Sequence, residues 1–265
     1  MHQSKYATDL FTKFDMTNCK PSSTPYSSLF RLTQTQGTPL PNPTHFRSLV
    51  GALQYLTFTR PNLNFAVNQV CQFMHSPTNT HLVAAKKILR YLKGTLTHGL
   101  LFRLSSLTLQ AYADADWTGN PNDRRSTLSY VVFLGLTPIT WVSKKQSIVS
   151  RSSTEAEYRS LASATAEVLW IRMVLKDLGV FLPDPPLLWC DNLSALALAS
   201  NPVFHARTKH IEVDYHFICE KVVRRDVVVK FISTTDQIAD ILTKCLPSPG
   251  FTRLRSNLLL PFRPP

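Results

Sequence analysis

Between residues 16 and 113 the chain contains no aspartate or glutamate. Up to residue 113 it carries 11 Lys and Arg against only Asp9 and Asp15, a balance of +9, whereas residues 114–265 hold 18 against 15. A folded segment with charge of one sign sets up a one-signed field, and the commonest partner for a positive field is a nucleic-acid phosphate backbone. An anionic membrane surface and a basic surface kept only for solubility are the alternatives. Cysteine is scarce and odd in number, five with no Cys-x-x-Cys pair, which argues against a secreted disulfide scaffold and for a reducing compartment. No apolar run is long enough to span a bilayer, and none follows the Met1-His2-Gln3-Ser4-Lys5 start, so neither a membrane span nor a secretory signal is legible. A helix already in progress at residue 5 suits a chain cut from something longer. What is present, 265 residues with 44% hydrophobic content, suffices for one large domain or two ordinary ones.

Residues 21–43 are rich in Ser, Thr and Pro without a sustained period and read as a loop after a short amphipathic helix at about 5–15. Helical spacing then predicts segments at about 44–58, 62–75 and 79–93, punctuated by Pro61 and Pro77. The third has a dry stripe (Leu82, Ala85, Ile88, Leu89, Leu92) and a cationic side (Lys86, Arg90, Lys93). From about 107 the pattern changes to strands at 107–115, 129–136 and 138–144, then a helix of some 25 residues opening at Ser152-x-x-Glu155 and stopping at Gly179. A strand at 187–190, helices at 193–199 and 211–224, a strand at 227–232 and a last helix at about 235–244 follow, the last opening with a possible Thr234-x-x-Gln237 capping box. This order is that of a mixed α/β domain of about 140 residues.

Four carboxylates of that domain stand where charge is costly unless paired. Asp114 lies near the end of the first strand, and Asp191 directly follows the apolar run Leu187-Leu188-Trp189-Cys190. On the long helix the stripe Leu161, Ala164, Val168, Ile171, Leu175 leads back to Glu157, while Glu155 falls on another face beside Arg159. Asp240 interrupts the apolar pattern Ile238, Ala239, Ile241, Leu242. Carboxylates gathered at one sheet edge repel, and such hard oxygen ligands suit Mg²⁺ or Mn²⁺. Two such ions about 4 Å apart can activate a water and stabilise the leaving 3′ oxygen of a phosphodiester displacement, which is nucleic-acid hydrolysis. No zinc-ligand spacing joins His205, His210 or His216 to Cys190 or Cys219.

These carboxylates sit in runs that carry a resemblance. Tyr112-Ala-Asp-Ala-Asp-Trp-Thr-Gly, Asp123-Arg-Arg-Ser-Thr, Trp141-Val-Ser-Lys-Lys-Gln, Ser152-Ser-Thr-Glu-Ala-Glu-Tyr, Trp189-Cys-Asp-Asn, Arg207-Thr-Lys-His-Ile and Ala239-Asp-Ile-Leu-Thr-Lys resemble the ribonuclease H domain of copia-type LTR retrotransposon Pol polyproteins. Upstream, Asn18-Cys-Lys-Pro, Phe46-Arg-Ser-Leu-Val-Gly, Thr59-Arg-Pro, Phe73-Met-His-Ser-Pro and Ala84-Ala-Lys-Lys-Ile-Leu-Arg-Tyr-Leu-Lys-Gly-Thr-Leu resemble that family's region after the polymerase palm. The resemblance implies a helical thumb and connection-like region over 1–104, a ribonuclease H-like domain with a five-stranded mixed sheet over 105–248, and a tail over 249–265. It implies a metal site of Asp114, Glu157, Asp191 and Asp240 holding the family's cofactors, two Mg²⁺ or Mn²⁺ ions, with Asp116 a neighbour. The implied substrate is the RNA strand of an RNA–DNA hybrid. Lys86, Arg90 and Lys93 are the expected backbone contacts upstream, and Lys144, Lys145, Arg207 and Lys209 are weaker candidates. An intracellular particle or nucleus, and a separate polymerase portion as partner, follow from the family alone. No Tyr-x-Asp-Asp pair occurs, which excludes polymerisation by these residues alone. Ser129 and Asn62 stand where the family commonly has Gly and Asp, and Leu136 where a small or polar turn residue is usual. A remnant that binds nucleic acid without cutting it is the alternative reading.

Overall fold

The computed structural model describes residues 1–27, 31–200 and 211–261. These form two compact units: Met1–Phe102 with Pro121–Asp123 and Lys244–Pro265, and Arg103–Asn120 with Arg124–Thr243.

The first unit contains helices α1 (Ser4–Lys13), α2 (Thr44–Leu56), α3 (Asn64–Cys71) and α4 (Asn79–Lys93), then the short strand β1 (His98–Gly99). The helix expected over 62–75 starts instead with a 3-10 turn at Pro61–Leu63, where the missing proline N–H costs nothing. Phe46, Leu49 and Leu53 of α2 are buried, as are Ile88, Leu89 and Leu92 of α4. The other side of α4 serves the unit itself. Arg90 Nε donates to the Lys20 carbonyl at 2.9 Å, and Lys93 Nζ donates to the Thr17 carbonyl at 2.7 Å while lying 5.3 Å from the Phe11 ring centroid. Two of the three cations expected to meet phosphate thus brace residues 17–20; Lys86 is half-buried.

The second unit runs β2 (Leu109–Asp116), β3 (Thr127–Leu134), β4 (Thr137–Lys145), α5 (Ser153–Asp177), β5 (Leu187–Cys190), α6 (Leu193–Ser200), α7 (Glu212–Val223), β6 (Val228–Phe231) and α8 (Asp240–Thr243). Its sheet has the order β4-β3-β2-β5-β6, with β2, β3 and β4 antiparallel and β5 and β6 parallel to β2. This is the expected α/β architecture with a mixed five-stranded sheet and flanking helices. The core lies between the sheet and the helices, with Ala111, Val132, Leu161, Val168, Leu188 and Ile218 buried in it. The β3–β4 hairpin turns on Gly135 and Leu136, and the positive φ falls on Gly135 (+58°). A primed turn needs a glycine there, and Leu136 at the next position is tolerated in ordinary backbone space.

Helix α5 begins as its sequence announces. Ser152 Oγ accepts from Glu155 N at 3.1 Å, although the Glu155 carboxylate returns to Arg151 N (2.8 Å) rather than to the cap residue's own N–H. Ser152→Ala should lower the stability of this unit by about 1 kcal/mol, which a thermal melt followed by tryptophan fluorescence would register as a fall of about 3 °C; an unchanged midpoint would show the cap to be idle.

Of the C-terminal tail expected over 249–265, residues 249–261 are described. Helix α9 (Ser248–Leu258) buries Phe251, Leu254 and Leu258 within the first unit, and β7 (Leu260–Pro261) pairs antiparallel with β1. Phe251 packs edge-on against Tyr91, with centroids 5.5 Å apart. The apolar spacing of three then four was legible, but Pro249 and Gly250 obscure it.

Candidate active site

The register of two strands places the first pair of carboxylates. Tyr112 of β2 faces Trp189 of the parallel strand β5, so Asp114 and Asp191, each two residues further on, reach the same level and the same face. Glu157 comes from the second turn of α5, three residues before Ser160. Ser160 lies against the sheet: its hydroxyl is shared between the Asp114 and Ser129 carbonyls at 2.8 and 2.7 Å. Glu157 shares that inward face. Asp240 opens α8, a helix of four residues too short to hold itself in place by its own hydrogen bonds. Side chains suspend it from the sheet: Ser129 Oγ donates to the Ala239 carbonyl (3.0 Å), Ser143 Oγ to the Leu242 carbonyl (2.6 Å), and Gln237 Nε2 to the Ala113 carbonyl (3.0 Å).

The result is a convergence of all four carboxylates around Asp191. One ligand atom each from Asp114, Asp191 and Asp240 lie within 4.8 Å of one another, and so do atoms from Glu157, Cys190 and Asp191. Asp114 is fully buried, Glu157 and Asp240 are nearly so, and Asp191 is half-buried. Thr243 Oγ1 donates to Asp114 Oδ2, and Thr234 Oγ1 donates to Asp191 Oδ2 at 2.9 Å. The other Asp191 oxygen, Oδ1, is buried with no hydrogen-bond partner. A buried acceptor without a donor beside three more carboxylates is the chemistry of a hard divalent cation site, and Mg²⁺ or Mn²⁺ fits it. Cys190 does not fit that chemistry. Burial first, then the negative charge of Glu157 and more weakly of Asp191 and Asp114, pushes its thiol pKa up, outweighing the contact to Asn192. It stays a neutral thiol at physiological pH, packed behind the carboxylates.

Glu155 is held apart from this cluster, as its helical position required, by an ion pair with Arg159 at 2.9 Å. Asp116 ends β2 and turns its carboxylate over Gly119, where an added Cβ would fall 1.9 Å from Oδ2. The expected Thr234-x-x-Gln237 capping box does not form. Ser233 caps the 3-10 turn Thr234–Asp236, the Thr234 hydroxyl is taken by Asp191, and the fully buried Gln237 amide donates to the Ala113 carbonyl in the sheet. Ser129, where glycine is common in the family, sits within β3 rather than at a turn, and its hydroxyl ties that strand to the segment before Asp240. Spacing alone could have flagged Thr243, three residues after Asp240 on the same helical face; the sheet-to-α8 bonds join residues about 100 or more apart and leave no local signal. Of the weaker cation candidates, Lys144 is exposed and Lys145 half-buried at the end of β4. Arg207 and Lys209 lie outside the described residues. No helix among the described residues is long and apolar enough to cross a membrane.

No family model matches the chain. Over 266 aligned residues it is 48% identical to the retrovirus-related Pol polyprotein from transposon RE1 of Arabidopsis thaliana, covering 100% of this chain and 18% of that protein. It is 37% identical over 260 residues to the corresponding polyprotein from transposon TNT 1-94 of Nicotiana tabacum, covering 95% of this chain and 19% of the other. The chain thus spans less than a fifth of the length of these curated relatives. Among solved structures it is similar to LC11-RNase H1, isolated from compost, at 18% identity and a TM-score of 0.40, covering 52% of this chain and 93% of that one.

Proposed function

Because the chain belongs to the retrovirus-related Pol polyproteins of transposons, we propose that its second unit hydrolyses the RNA strand of RNA–DNA hybrids with the help of divalent cations. The observation that carries this reading is the convergence of Asp114, Glu157, Asp191 and Asp240, with Asp191 common to both carboxylate groups and one of its oxygens buried without a donor. In this reading Asp114 and Asp191 hold the cations, Glu157 lies toward the scissile phosphate and Asp240 toward the attacking water. When bound, the cations supply Lewis-acid activation of that water and stabilise charge on the leaving 3′ oxygen. The chain's own part is to hold four acceptors in one pocket, to orient Asp114 and Asp191 through hydroxyl donors, and to keep the Cys190 thiol from competing as a soft ligand by leaving it protonated.

Among the basic side chains we propose phosphate contacts by Lys86 in the first unit and, separately, by Lys144 and its sequence neighbour Lys145 in the second. Arg90 and Lys93 each keep donors beyond the one spent on a carbonyl and can contribute to the field rather than to fixed contacts. The hybrid is the proposed partner, and the remaining length of the Pol relatives is the proposed source of polymerase function.

The test is incubation of the 265-residue chain with a labelled RNA–DNA hybrid, duplex DNA and duplex RNA, each with MgCl₂, MnCl₂ or EDTA. Cutting of the hybrid's RNA strand alone, abolished by EDTA, is the expected result. Salt-dependent binding of the hybrid by a folded protein without any cutting would replace this reading with that of a nucleic-acid-binding remnant.

A further inference from the structure

We propose that Thr243 and Thr234 are positioning residues that hold the carboxylates of Asp114 and Asp191 in the orientation that a cation would meet, an inference that rests on the cation-binding reading above. Both hydroxyls come from one stretch, residues 234–243, and each engages the Oδ2 atom of a carboxylate supplied by the end of a central strand. The same stretch carries Asp240. It therefore controls three of the four carboxylates, contributing one and orienting two.

The donor assignment follows from chemistry. An ionised carboxylate only accepts, so the hydrogen between Thr243 Oγ1 and Asp114 Oδ2 belongs to the threonine. That hydroxyl has a second acceptor near it, the Asp240 carbonyl at 3.4 Å, but one hydrogen cannot serve both, and the charged acceptor is the stronger. Thr243 and Asp114 are both fully buried, so no water competes for the bond. At Asp191 the consequence is visible in the partners: Oδ2 receives Thr234 at 2.9 Å and Oδ1 is buried with none. A hydroxyl is suited to this work because it fixes a carboxylate rotamer without adding positive charge. A lysine or arginine in its place would orient the carboxylate equally well and repel the divalent cation from it.

Calorimetric titration of the full chain with MgCl₂ and MnCl₂ tests this without reference to turnover. Thr243→Val keeps the shape and removes the donor; Thr243→Ser keeps the donor and removes the methyl group. Thr234→Val is the companion variant, and because Thr234 is exposed its effect cannot arise from lost core packing. Cation affinity should fall about tenfold in each valine variant and return in Thr243→Ser, with the MgCl₂ needed for half-maximal cleavage rising by the same factor. Wild-type affinity in both valine variants, or a serine variant as weak as the valine one, overturns the inference while leaving the cleavage reading standing. Cation binding that follows the expected order in a protein that cuts no hybrid leaves the inference standing and overturns the cleavage reading. A wild-type chain that binds neither cation overturns both.

Discussion

Asp114→Asn should abolish the proposed hybrid cleavage, a loss of about a thousandfold or more, and should at the same time make the cation-free second unit more stable. The two effects have one cause. Asp114 is fully buried and its carboxylate lies within 4.8 Å of those of Asp191 and Asp240. At that separation like charges repel by roughly 3 kcal/mol per pair even at an effective dielectric near 20. The amide removes this repulsion, keeps an oxygen to accept from Thr243, and leaves the volume of the site unchanged. Part of the gain is offset by the weaker hydrogen bond that a neutral amide oxygen accepts from Thr243, so the expected rise in EDTA is on the order of 1 kcal/mol. With MgCl₂ the order reverses, because only the wild-type chain gains stability from binding. Thermal melts of both proteins in EDTA and in MgCl₂ should cross in this way. A variant that is less stable than wild type in EDTA would mean that Asp114 is held by interactions stronger than its neighbours' repulsion, and mutual repulsion would not be what a cation relieves at this site.

Asn62→Asp should stabilise the first unit by about 3 kcal/mol, an unusual gain for adding a buried charge. Arg60 is 3% exposed, and its guanidinium donates to the Thr95 carbonyl at 3.0 Å and to Thr95 Oγ1 at 2.7 Å. Burial lowers its pKa, and Arg255 adds to the lowering against the opposing influence of Tyr91. No carboxylate among the described residues is an ion-pair partner for it, as the acid-free stretch of sequence foretold. The Tyr91 hydroxyl instead gathers donors: Arg60, Asn62 Nδ2 at 2.5 Å and Arg255 Nη1 at 3.5 Å. Arg60 Nε and Asn62 Oδ1 are left buried without partners. A carboxylate at position 62 would accept from the tyrosine hydroxyl and lie close to the guanidinium that the same hydroxyl contacts, turning a buried lone cation into a pair. This is also the residue that the resembling sequences commonly carry there.

The readout is favourable, since Trp117, Trp141, Trp170 and Trp189 all belong to the second unit. Amide exchange in α4 should slow in Asn62→Asp, while tryptophan fluorescence melts serve as an internal control that stays in place. Unchanged or faster exchange would show that Arg60 is already compensated.

By itself the amino-acid sequence determined the α/β class, the order of the strands and helices, and the choice of Asp114, Glu157, Asp191 and Asp240 as inward carboxylates. It could do so because alternation and helical spacing record which side of each element is buried, and a charge on the buried side is conspicuous. It also determined that α4 has a dry and a cationic face, but not what that face meets. Only the tertiary structure decided that Arg90 and Lys93 brace residues 17–20, and that Ser248–Leu258 packs as a helix in the first unit. Only it decided that Thr234 and Gln237 abandon a local cap for partners more than 40 and 120 residues away, Asp191 and Ala113. Periodicity specifies a face; the acceptor that takes a hydroxyl, an amide or a guanidinium is whichever long-range neighbour the fold brings within about 3 Å, and that neighbour is absent from any local window of sequence.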